Sequence, residues 1–278
     1  MFEDAIGLAM GYTLPVIVSK RYWSGAVESS VASFIVLNSD GWMLTSAHVL
    51  EDGVAAEADA LQIQHYQRPG GTAGSVRGKP NPRWITKISY WWGHDGIAIS
   101  SFRVNRLSDL ATGRMEPFDP GSVAAYPIFK NPQSSLRPGV MLCRLGFPFH
   151  SVHATYDQPS QRFILPPSAL PMPVFPNEGM HTRVAMVADA ASGTQAKFLE
   201  TSSPGLRGQS GGPIFDRDGH IWGIQSRTTS FDLGFSPQVG SSSGNVVEHQ
   251  FLNVGLGTHV EEVVKFLAAE GVSCALSD

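Results

Sequence analysis

Gly208-Gln209-Ser210-Gly211-Gly212-Pro213 is the stretch on which the reading of this chain turns. A serine set among glycines lies on backbone that can turn sharply, so the N–H groups of Gly208 and Ser210 can point at one oxygen. Its hydroxyl becomes a useful nucleophile only with an imidazole to take the proton and a carboxylate to orient that imidazole. Alone, such a segment is more often a glycine-rich turn, here before the apolar strand Pro213-Ile214-Phe215, so the rest of the chain has to decide.

Working outward, short runs rich in Val, Ile, Phe, Trp and Thr alternate with glycine and proline along the whole chain, the pattern of an all-β protein. Strands are predicted at 14–20, 33–37, 42–46, 61–66, 85–91 and 96–104, then at 139–146, 182–188, 197–201, 213–216, 220–226 and 246–256. That spacing predicts two antiparallel six-stranded barrels in series, over residues 1–110 and 111–278. Hairpin turns are expected at Asn38-Ser39-Asp40-Gly41 and Asp216-Arg217-Asp218-Gly219. One helix is predicted, at the C-terminus, with Thr258 and Glu261 as a capping box and Val260, Val263, Val264 and Leu267 as its apolar stripe. The proline-rich stretch 150–180 reads as a long irregular loop bordering the site.

Two further segments accompany the serine. Thr45-Ser46-Ala47-His48-Val49-Leu50 ends a strand with small residues and then a histidine, and His94-Asp95-Gly96-Ile97-Ala98-Ile99 places an acid at the start of an apolar strand. A lone histidine or aspartate in such places is more often a packed or surface side chain; the three together are not. In this order they resemble the trypsin-like serine peptidases, and the stretch 199–210 resembles most the bacterial high-temperature-requirement branch, without the PDZ domain that usually follows.

The resemblance implies two perpendicular barrels of the chymotrypsin-like fold with the site between them. It implies Ser210 as nucleophile, His48 as general base, Asp95 as orienting carboxylate, and the N–H groups of Gly208 and Ser210 as oxyanion hole. Family members follow their aspartate directly with an alternating apolar pair, whereas Gly96 intervenes here, and so Asp52, Asp59 and Asp109 stay open. Gln209 replaces the aspartate that digestive members pair with a newly cut N-terminus, so activation by such a cut is not expected.

By the same resemblance the pocket for the residue before the cut is lined by Pro204 and Gly205, by Ser226 and Thr228 with Arg227, and by Gly255 and Gly257 with Leu256. No carboxylate stands near Pro204, so a small or apolar side chain is expected there rather than Lys or Arg. The activity implied is that of a serine endopeptidase acting on protein or peptide substrates. The rival readings are a non-catalytic peptide-binding relative and an α/β-hydrolase esterase, since Gly-x-Ser-x-Gly also fits a nucleophile elbow. The esterase requires a helix directly after the serine, where Gly211-Gly212-Pro213 and a hairpin are predicted.

Composition narrows the partners. With 278 residues, 42% hydrophobic, 16% charged and a formal charge of −4, the chain gives no reason to expect nucleic acid or an anionic membrane. Acids at Glu3 and Asp4, and a following apolar run broken by Gly7, Gly11 and Pro15, do not read as a secretory signal, so a cytoplasmic location is expected. No metal or cofactor is expected: His150 and His153 have no companions at ligand spacing. Restraint of activity is assigned to loops, oligomerisation or a regulatory protein partner. Cys143 and Cys274 read as free thiols without a catalytic role.

Overall fold

The computed structural model describes residues 1–68, 79–189, 192–235, 238–241, 244–247 and 251–278. Strands β1 (Thr13–Tyr22), β2 (Val27–Val36), β3 (Trp42–Thr45), β4 (Ile85–Trp92), β5 (Ala98–Asn105) and β6 (Leu110–Glu116) form a six-stranded antiparallel sheet in the order β4-β1-β2-β3-β6-β5. Side chains of a strand alternate between faces, and here both faces are used. Val16, Val18, Phe34, Val36, Met43 and Met115 form the inner core of this half. On the opposite face, Ile17 meets Phe147, Val152, Ala169 and Met172 of the proline-rich connection, while Ile35 and Leu44 join the core of the second half.

The second half contains β7 (Ile128–Phe129), β8 (Met141–Arg144), the small hairpin β9 (Thr155–Asp157) and β10 (Arg162–Ile164), then β11 (Asn177–Ala188), β12 (Gln195–Thr201), β13 (Pro213–Phe215) and β14 (His220–Asp232). It continues with the hairpin β15 (Gln238–Ser241) and β16 (Gly244–Val247), then β17 (Phe251–His259) and β18 (Ala275–Leu276). The order β13-β8-β11-β12-β17-β14 closes on itself because β13 also pairs with β14, giving a six-stranded antiparallel barrel. The short β7 and β18 add to it in parallel. The all-β, two-barrel architecture expected from the sequence is the one found.

Several local expectations are corrected. Residues 61–66 are not a strand; they belong to α2 (Glu51–Gln67), a 17-residue helix. Its run of Ala, Glu and Gln favours a helix, and Glu51 and Asp52 suit the positive end of its dipole. None of its residues is fully buried, so it has no apolar stripe by which periodicity could announce it. Helix α1 (Glu3–Met10) was also unanticipated; Phe2, just before it, packs edge-on against Phe215. The C-terminal helix α3 (Val260–Ala269) buries Val260, Val263, Phe266 and Leu267, but its cap is His259, whose Nδ1 accepts from the Glu261 N–H at 3.2 Å. Thr258 instead stays in β17 and donates to the Ser108 carbonyl.

The unanticipated strand β6 carries the first sheet on to Glu116, past the division expected at 110. The strand expected over 246–256 is β16 and β17 in part; Glu248–Gln250 lie outside the described residues. Both cysteines are free, and burial pushes the Cys143 thiol up to about 11. No described helix is long and apolar enough to cross a membrane.

Candidate active site

Strand β3 ends at Thr45, and the chain turns through Ser46 into the short helical turn Ala47–Leu50 that presents His48. The small residues before the histidine have a packing reason. Thr45 Oγ1 donates to the Ser33 carbonyl at 2.7 Å and Ser46 Oγ to the Gln225 carbonyl at 2.8 Å, tying the turn to both halves. A Cβ on Gly211, whose φ is +84°, would lie 2.2 Å from Thr45 Oγ1, so only glycine lets the serine-bearing loop approach this closely.

The carboxylate against His48 is Asp109. Pairing of Thr45 with Ala111 in the β3–β6 ladder brings the residue just before β6 beside the histidine turn. Asp109 Oδ2 is 2.9 Å from His48 Nδ1, and Oδ1 accepts the His48 backbone N–H at 3.0 Å. The Ser226 hydroxyl donates to the same Oδ2. Asp109 is 7% exposed and adopts φ 53°, a left-handed conformation that aspartate tolerates better than most residues. Burial works to raise its carboxyl, but the hydrogen bonds and charge of His48 with the Ser226 hydroxyl outweigh it, and the group is held below the usual range. Burial would lower His48; its hydrogen bond and charge pairing with Asp109 outweigh that and leave the imidazole raised above 6.5.

Asp95, the carboxylate expected from the sequence, does not reach this site. It lies exposed in the turn between β4 and β5 and accepts the Trp91 indole N–H at 2.7 Å. The other two alternatives are engaged elsewhere: Asp52 pairs with Lys20 at 2.8 Å, and Asp59 accepts the Ile85 N–H at 2.8 Å. A signal for Asp109 was present, because Asp109-Leu110-Ala111 has the apolar continuation that Asp95-Gly96 lacks.

Ser210 is fixed from both sides. Its carbonyl accepts the Ser33 N–H at 2.8 Å, and the next residue's N–H donates to the Gln225 carbonyl at 2.8 Å. Its Oγ lies 3.5 Å from the Ser226 carbonyl, so Ser226 touches both Ser210 and Asp109. Gly208, at φ +99°, has its carbonyl held by the Phe147 N–H and the Ser33 hydroxyl at 3.0 and 2.7 Å. Among the described residues neither the Gly208 nor the Ser210 N–H donates to a protein group. The fully buried Gln209 closes the turn: its Oε1 accepts the Leu206 N–H at 3.0 Å and its Nε2 donates to the Phe175 carbonyl at 3.4 Å. This neutral side chain needs no ammonium partner.

The three stretches expected to line a pocket do meet. Thr228 Oγ1 donates to the Gly205 carbonyl at 2.6 Å, and the Gly255 N–H to the Ser203 carbonyl at 2.9 Å. Ser226 is turned toward Asp109, and Gly257 faces Ile214, where an added Cβ would lie 2.3 Å from Ile214 Cδ1. Sequence reading missed Arg144, which is 1% exposed behind this wall. Its guanidinium donates to the Ser203 and Pro204 carbonyls at 2.9 and 2.8 Å and to the Thr201 hydroxyl. Among the described residues no carboxylate pairs with it, and burial lowers it to about 10.

Comparison with known proteins agrees with this architecture. Residues 32–224 match the family model of the trypsin-like peptidase domain. The fold is similar to that of the Rv3671c protease from M. tuberculosis in its active form, with TM-score 0.52 and 11% identity over 98% of this chain and 86% of that one. It is also similar to the HtrA-type protease AlgW solved with a tripeptide, with TM-score 0.51 and 15% identity over 98% of this chain and 65% of that one. At these identities the likeness is one of fold. No curated protein matches the sequence.

Proposed function

We propose a mechanism for this chain, which belongs to the trypsin-like peptidase family and is a serine endopeptidase. Ser210 Oγ attacks the carbonyl carbon of a peptide bond while His48 takes its proton; His48 then gives that proton to the leaving amine as the C–N bond breaks. Water, deprotonated by His48, attacks the acyl-enzyme and releases Ser210 with the acid product. The N–H groups of Gly208 and Ser210 hold the oxyanion in each tetrahedral step. Asp109, in place of Asp95, keeps the imidazole in the tautomer that leaves Nε2 free and stabilises its charged form.

The observation that carries this reading is the pairing of His48 with Asp109, whose second oxygen and Ser226 contact fix the imidazole in one orientation. The side chain of His48 is 37% exposed, so it is open on one side to a substrate.

For the residue before the cut, a small or apolar side chain is supported. A buried guanidinium behind the Ser203-Pro204 wall makes that end of the pocket unfavourable to Lys or Arg, beyond the lack of a carboxylate. Protein or peptide substrates follow from the family. A fluorophosphonate probe tests the reading: wild type is expected to be labelled and Ser210→Ala not, with turnover of a peptide library falling about a million-fold in the variant. Absence of labelling in wild type would favour a peptide-binding relative.

A further inference from the structure

We infer that Gln225 is the floor of the substrate pocket and limits the residue before the cut to side chains of about the size of alanine. The inference rests on the peptidase reading above and names the residue that sets its substrate class.

Gln225 precedes Ser226 on β14 and is 2% exposed. Its carboxamide touches each of the three stretches that enclose the pocket. Nε2 donates to the Arg227 carbonyl at 3.1 Å and to the Leu256 carbonyl at 3.3 Å. On the third side it lies against Gly205, where a Cβ would fall 2.1 Å from Nε2 and 2.6 Å from Cδ. The volume that a side chain at 205 would enter is therefore already filled from across the pocket. A substrate side chain entering between the same walls meets this carboxamide.

The side chain cannot easily be displaced. The Gln225 N–H donates to the Gly212 carbonyl at 2.8 Å, and its carbonyl accepts from the Gly211 N–H and the Ser46 hydroxyl at 2.8 Å each, so its Cα is pinned between the serine loop and the histidine turn. Oε1 is buried with no hydrogen-bond partner among the described residues. An unmet acceptor costs stability that an apolar residue would not, so packing alone does not explain a glutamine here.

In a pocket with a fixed floor, each methylene too many is worth about 10- to 200-fold in specificity. Cleavage of a peptide library, with rates expressed per serine titrated by fluorophosphonate, tests the inference. Wild type should cut after Ala and Ser at least about tenfold faster than after Leu, Met or Phe. Gln225→Ala should reverse that ranking in favour of Leu and Met, with Gln225→Val intermediate. Adding Gly205→Ala to Gln225→Ala should restore the preference for small residues, because the new Cβ projects into the vacated space.

A wild type that prefers Leu, Met or Phe overturns the inference while leaving the peptidase reading intact. So does a Gln225→Ala or Gln225→Val protein that is labelled yet keeps the wild-type ranking. If Gln225→Ala fails to fold, Gln225→Val and the wild-type profile still decide. A wild type that is neither labelled nor active defeats the peptidase reading itself, and this inference with it.

Discussion

Asp95 and Asp109 each stand just before a strand of the first sheet, yet their surroundings differ in every respect that matters to an imidazole. Asp95 is exposed in the turn between β4 and β5 and bonds an indole N–H, whereas Asp109 is buried and binds both the ring and the backbone of His48. The difference comes from sheet order. β6 is hydrogen-bonded to β3, whose end leads into the histidine turn; β5 lies one strand further out, at the sheet edge. A carboxylate becomes a partner by being on the adjacent strand, not by being nearer in sequence, and Asp95 is nearer to His48 along the chain than Asp109 is.

The largest test of this contrast is Asp109→Asn, which leaves the shape but offers His48 an amide and permits the wrong tautomer. Its turnover number should fall about ten thousand-fold with the fold intact. Equal losses in Asp95→Asn and Asp109→Asn would break the comparison.

Next in size is Ser226→Ala, which removes a hydroxyl donor from a buried carboxylate. A hydrogen bond to a charged group is worth about 1.5–3 kcal/mol, so a rate loss of about tenfold or more is expected, with Asp109 titrating at higher pH. A variant as active as wild type would mean that Ser226 does not tune Asp109.

The pH profile gives a smaller effect with a definite sign. In the proposed mechanism His48 acts as a base only when neutral, and Asp109 holds it above 6.5. The rising limb of kcat/KM should therefore lie above pH 6.5 in wild type, activity being lost as pH falls through it. In Asp109→Asn the rising limb should move to lower pH, because burial then acts on His48 opposed only by the more weakly acting Glu51. An unmoved limb would separate His48 from Asp109 functionally. Smallest of all is Asp95→Asn, an exposed change expected to alter stability by no more than about 0.5 kcal/mol and activity by less than twofold, read by thermal melting and peptide cleavage.

The sequence by itself determined the all-β architecture, the serine loop and the histidine turn. These rest on local rules: strand alternation, glycines where backbones must touch, and small residues where Thr45 and Ser46 are pressed against Gly211. Helix α2 escaped because it buries no stripe, and the α3 cap moved because Thr258 was claimed by Ser108 across the fold. Only the tertiary structure decided which aspartate faces His48, that a buried Arg144 holds the Ser203 and Pro204 carbonyls, and that Gln225 fills the space opposite Gly205. Each of these depends on which strands lie side by side, and hydrogen-bonded neighbours in a sheet can be far apart along the chain.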